Sequence, residues 1–118
     1  MRNFKKYDIW KLSHALTLNI YQITQEFPSK ERFQIISQMQ RAAYSIPSNI
    51  SEGAGRQSDK EFNRFLQYSL GSAHELEYFI LLSKDLSYID EKTYIQIDQR
   101  INILKSKMYS LSQRLIGG

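Results

Sequence analysis

The sequence predicts an all-α domain, an antiparallel up-down-up-down four-helix bundle whose second helix is kinked near Pro47. Three observations lead there. Apolar residues recur at steps of three and four along four segments, no useful stretch alternates with a period of two, and the breaks between segments are only a few residues long. Short breaks make long amphipathic helices antiparallel neighbours.

The first helix is expected from about Asp8 to Glu26, with Ile9, Leu12, Leu16, Ile20, Ile23 and Phe27 on one stripe. Asp8 suits the positive end of its dipole. Phe27-Pro28 ends it, because the residue before proline is pushed out of the helical region.

A second helix follows Ser29 as N-cap and carries Phe33, Ile36, Met39, Ala43, Ile46 and Ile50 inward. Pro47 removes a backbone donor and crowds the carbonyl of Ala43, at a cost of roughly 3 kcal/mol. A kink or break is therefore expected near Ala43–Pro47, with Ser48 or Asn49 side chains satisfying the freed backbone groups. Gly53 and Gly55 close the segment.

The third helix opens on the capping box Ser58-Asp-Lys-Glu61 and extends to about Leu86, with Phe62, Phe65, Leu66, Ser69, Ala73, Leu76 and Ile80 inward. Between Tyr78 and Leu82 it is apolar on every side. The fourth starts after Asp90 and runs to about Ile116. Tyr94, Ile97, Ile101, Leu104, Met108, Leu111 and Leu115 form its unbroken seam.

The 118 residues suit one domain spanning 1–118, and 42% hydrophobic content supports a packed core. Cysteine is absent, which excludes disulfides and thiolate metal sites and points to a reducing cytoplasm. No apolar run approaches the roughly 18–20 residues of a membrane span. The basic start Met1-Arg-Asn-Phe-Lys-Lys-Tyr-Asp8 lacks the apolar core of an export signal. A formal charge of +4 permits contact with nucleic acid without demanding it.

Catalytic patterns are missing. His74-Glu-Leu-Glu-Tyr78 has tyrosine where a zinc protease needs its second histidine. Lys11 precedes His14 by three residues and Gly71 precedes His74, so neither makes the Glu-x-x-His pair of a di-iron bundle. There is no nucleophile elbow, no phosphate loop, and no third glycine beside Gly53-Ala-Gly55. No enzyme activity, cofactor or metal is expected.

Phe27-Pro28-Ser29-Lys30-Glu31-Arg32, Ser37-Gln-Met-Gln-Arg-Ala-Ala43, Ser45-Ile-Pro-Ser-Asn-Ile-Ser-Glu-Gly53, Arg56, Phe62-x-x-Phe65-Leu66 and Gly71-Ser72-x-x-Glu75-Leu-Glu77 together resemble a known family. It is the family of four-helix bundles encoded in intervening sequences of bacterial 23S ribosomal RNA genes. The resemblance covers nearly the whole chain; Ser51 stands where alanine is usual. It implies a barrel-like homopentamer. A relative, the accessory protein of diversity-generating retroelements, is a basic pentamer that binds a reverse transcriptase and nucleic acid. That role would need a separately encoded reverse transcriptase as partner here.

Candidate contacts to RNA or DNA are Arg41, Arg56, Lys60 and Arg64 around the second break, and Arg100, Lys107 and Arg114. The last three fall seven apart on one flank of the fourth seam, with Lys105 on the other. Glu52, Asp59 and Glu61 compete for the first group by internal pairing. Tyr78, Phe79, Leu81 and Leu82 are the candidate subunit interface, since one bundle covers only part of that run. The expectation is a non-enzymatic oligomeric bundle serving as a nucleic-acid-associated or ribonucleoprotein accessory factor. A protein–protein adaptor with incidental positive charge is the alternative.

Overall fold

The structure, a computed structural model, describes residues 2–117. A short 3₁₀ turn at Phe4–Lys6 leads into α1 (Asp8–Thr24), followed by α2 (Ser37–Ala54), α3 (Asp59–Asp85) and α4 (Glu91–Gly117). Among the described residues there is no strand. Each of the last two helices has 27 residues. At 1.5 Å per residue that is about 40 Å, which sets the long axis of a molecule measuring 45 × 23 × 20 Å.

Bonds between helices give their directions. Thr17 and Thr24 on α1 meet Ala43 and Gln40 on α2, so numbers rise on one helix as they fall on the other. The same holds for Ser69 and Ser83 of α3 against Ile46 and Met39 of α2. Glu77 and Gln67 of α3 pair with Lys105 and Ser112 of α4. Asn19 and Asp8 of α1 pair with Arg100 and Lys107 of α4. All four seams are antiparallel, and α1 closes the ring against α4 in the thinnest of them.

The expected α3 stripe is buried at every position, from Phe62 to Ile80. On α4 the inward set is Ile97, Ile101, Leu104, Met108 and Leu111, with Tyr94 and Leu115 partly covered at the ends. The α2–α3 seam is tight at its start. A Cβ on Gly53 would lie 2.7 Å from the Cβ of Phe65, so only glycine lets these helices approach so closely.

Pro47 does not break the helix. Helix α2 runs unbroken from Ser37 to Ala54 with Pro47 inside it. The carbonyl of Ala43, deprived of its donor at residue 47, instead accepts a bond of 3.0 Å from the hydroxyl of Thr17 on α1. The repair therefore comes from the neighbouring helix. Asn49 donates 2.8 Å to the Ser45 carbonyl, while Ser48 is exposed.

Further irregular backbone lies before α2. A 3₁₀ turn at Ser29–Glu31 runs into a π-helical turn at Arg32–Ile36, where Gln34 has non-helical angles (φ −122°, ψ −106°). A π turn shifts the side-chain period by one residue. Ile35 accordingly takes the core position, and Phe33, expected inward, is 86% exposed.

The interior is not purely apolar. Ser13, Thr17, Thr24, Ser69, Ser83 and Ser112 are buried. Most of these hydroxyls donate to backbone carbonyls, Ser69 to Ile46 at 2.9 Å and Thr24 to Ile20 at 2.8 Å among them. Ser83 also reaches the sulfur of Met39 at 3.3 Å. Among the described residues no buried side-chain nitrogen or oxygen lacks a partner.

Helix α3 ends by satisfying its last carbonyls locally. Tyr88 N–H bonds Ser83 O at 2.8 Å and Ser87 N–H bonds Lys84 O at 2.9 Å, a Schellman arrangement that puts Ser87 at φ 64°. At the other end of the bundle Arg2 clasps the α2–α3 turn. Its guanidinium donates 2.6 Å to Arg56 O, pairs with Asp59, and lies 5.0 Å over the Phe62 ring.

Candidate nucleic-acid interface

The seven candidate cations fall in three places. At the α2–α3 turn, Ser58 caps α3 by accepting from Glu61 N–H at 3.1 Å. The Glu61 carboxylate does not complete the capping box. It pairs with Arg64 through two bonds of 2.9 and 3.2 Å, and that guanidinium holds the Glu61 carboxyl below its ordinary range. Arg64 also donates 3.1 Å to the Tyr68 hydroxyl and lies 5.0 Å over Phe65. Arg56 is 3.7 Å from Glu52 and stacks 4.8 Å over the same ring. Internal pairing thus engages both arginines here. Lys60 is exposed and, among the described residues, pairs with no carboxylate.

On α4 the two flanks separate as the sequence implies. Lys105 faces α3 and bonds Glu77 at 2.7 Å, which lowers that carboxyl's pKa. Arg100 and Lys107 face α1. Arg100 donates 2.8 Å to Asn19, a neutral partner, so its charge is not offset; Lys107 pairs with Asp8 at 3.1 Å. Arg114 shares a cleft of about 360 Å³ with Tyr7, Asp8, Lys107 and Ser110. A smaller cavity of about 70 Å³ lies along the same seam, lined by Leu12, Leu16, Arg100 and Ile103.

Arg41 stands apart on the exposed side of α2. It is the only charged residue between Ser37 and Ser51. Tyr44, 47% exposed, sits one turn along, where residues three apart share a face. The α1–α2 register brings Tyr21, also exposed, to the same level. Sequence reasoning found Arg41 but missed the two tyrosines. The long run without a carboxylate was the available signal.

The candidate interface run divides. Tyr78 and Leu81 are exposed, Ile80 is fully buried, and Phe79 and Leu82 are half-buried along the α2–α3 groove with Ile35 and Leu86. His14 stacks on Trp10 with ring centroids 4.9 Å apart, and His74 is 3.7 Å from Glu77 on an exposed face. Among the described residues no group of three or more His, Asp or Glu side chains is arranged to hold a metal. No described helix is long and apolar enough to cross a membrane.

The fold recurs in a crystal structure at 1.70 Å resolution of a protein of unknown function from the S23 ribosomal protein family of Bacteroides thetaiotaomicron VPI-5482. The two share 24% identity and a TM-score of 0.80, over 89% of this chain and 98% of that one. No match is found among curated proteins. The model of the family described as 23S rRNA-intervening sequence protein matches residues 5–110, nearly the whole chain. With its helices, its Pro47-bearing α2 and that match together, this chain belongs to the 23S rRNA-intervening sequence protein family.

Proposed function

We propose that the chain is a non-catalytic scaffold which assembles as a homo-oligomer, a pentamer by family resemblance, and engages nucleic acid as an accessory factor in the cytoplasm. The observation that carries this reading is the exposed side of α2, where Arg41 and Tyr44 stand with no carboxylate between Ser37 and Ser51 and exposed Tyr21 lies at the same level of α1. A lone cation on a face that also exposes aromatic rings offers a phosphate contact and stacking faces for unpaired bases. Lys60 and Arg100, paired with no carboxylate among the described residues, add further charge. In an assembly these modest features repeat around an axis, and a weak single-chain contact becomes a multivalent one.

The same composition, aromatic and arginine-bearing but poor in Lys, Glu and Asp, also suits a protein partner, a separately encoded reverse transcriptase included. A salt titration separates the two. Single-stranded RNA labelled with a fluorophore is titrated with protein from about 50 to 200 mM salt, where a polyanion contact loses affinity linearly on a log–log plot. Arg41→Glu is expected to weaken binding and reduce the slope. Tyr44→Ala is expected to cost about 1–3 kcal/mol for each base it stacks. Absence of binding at the lowest salt defeats the nucleic-acid reading.

A further inference from the structure

Helix α3 carries a glycine that nothing inside its own bundle explains. Gly71 lies mid-helix, where glycine is unfavourable relative to alanine. A Cβ built on it would meet no atom within 4 Å. It contrasts with Gly53, whose Cβ would collide with Phe65. Gly71, Glu75, Tyr78, Leu82 and Asp85 follow one another at steps of four, three, four and three, so they form one ridge along the outside of α3. Tyr78 is 57% exposed, Glu75 and Asp85 are exposed, and Leu82 is half-buried. The ridge is therefore small at one end, apolar in the middle and acidic at Glu75 and Asp85. Lys84, 3.6 Å from Asp85, turns toward α4 over the Tyr94 ring.

The α1–α4 seam has the opposite character. It is the thinnest seam of the bundle, floored by Leu16 with Leu12 and Ile103 left 40% and 54% exposed above it. Arg100, Lys107 and Arg114 line it against the single carboxylate of Asp8. From Arg100 to Arg114 the groove is about 21 Å long, and from Glu75 to Asp85 the ridge is about 15 Å.

We infer that the α3 ridge of one copy docks in the α1–α4 groove of a second copy. This rests on the oligomeric reading above and gives it an interface. Tyr78 and Leu82 lie against Leu12 and Ile103, Glu75 and Asp85 meet the basic flank, and Gly71 admits the neighbouring helix closely. Because α3 is diagonal to α1 in the ring of helices, ridge and groove occupy different sides of the molecule. The contact is head-to-tail, and it repeats until a ring closes.

The test uses mass in solution, by light scattering and native mass spectrometry at micromolar concentration. Gly71→Leu replaces a poor helix former on an exposed face with a good one. It is expected to leave helicity level or higher while reducing the assembly to monomer. Reversing the groove (Arg100→Glu with Lys107→Glu) is expected to do the same. Adding Glu75→Lys and Asp85→Lys to that chain restores the assembly, since every copy contributes both surfaces. The chain has no cysteine, so Tyr78→Cys with Ile103→Cys is expected to give a ladder of covalent multimers on oxidation. A wild-type chain that is monomeric overturns the oligomeric reading itself. A wild-type oligomer unmoved by Gly71→Leu and by the reversals, with no ladder, overturns this interface alone.

Discussion

Ser87 holds a left-handed backbone, φ 64°, to complete the end of α3. A residue with a Cβ is disfavoured there by roughly 1–2 kcal/mol, which glycine avoids. Ser87→Gly is therefore expected to stabilise the fold by about 1 kcal/mol, less the entropy glycine adds to the unfolded chain, as a raised denaturant midpoint. Gly53→Ala runs the other way. Alanine improves helix propensity by about 1 kcal/mol, but its methyl meets Phe65 at 2.7 Å. Net destabilisation of about 1–3 kcal/mol is expected from overpacking, visible in the same assay. Glu77 supplies the pH dependence. Lys105 depresses its pKa in the folded state, so the stability it contributes is complete above the ordinary carboxyl value of 4.5 and is lost as pH falls below it. Glu77→Gln is expected to lower stability at neutral pH by under about 1 kcal/mol, because the pair is partly solvated. It also flattens the acid limb of a pH–stability curve; an acid limb identical to wild type counts against the assignment.

At the scale of the helix, Pro47 and Thr17 act as one unit. Thr17→Val removes the hydroxyl that satisfies Ala43 O and leaves a buried carbonyl unpaired, at an expected cost of about 1–3 kcal/mol. In a Pro47→Ala background the helix regains its own donor and Thr17 becomes dispensable. Unfolding all four chains of that cycle is expected to give a coupling between about 0.5 and 3 kcal/mol, and additive costs would dismiss the link. The donor lost at Pro47 was legible in the sequence and its remedy was not, because the remedy is 26 residues away on another helix. Periodicity failed at Phe33 for a related reason. It assumes an unbroken α-helical period, and the π turn at Arg32–Ile36 moves the inward position to Ile35. On α3 no such interruption exists, and every residue of the expected stripe is inward, with only Ser83 beyond it missed. Along α1 the apolar stripe was read except at Leu12, which is 40% exposed, and the inward hydroxyls of Ser13, Thr17 and Thr24, each bonded to a carbonyl, were missed.

For the molecule as a whole, the charges divide by what faces them. Arg56 and Arg64 are paired within the turn, and that much was readable from the interleaved acids. The flank of Arg100 and Lys107 was readable as a line, whereas the groove beneath it required the register of α1 against α4. The sulfur buried between α2 and α3 has a separate consequence. Met39 has no exposed surface, accepts a bond from Ser83, and shares full burial with Met108 on α4. Peroxide reaches neither thioether while the helices stay together. Sulfoxide formation at these two residues, followed by peptide mass spectrometry, then serves as a clock for the opening of the bundle. Its rate is expected to rise with denaturant in step with global unfolding and to fall when assembly or a bound partner holds the helices closed.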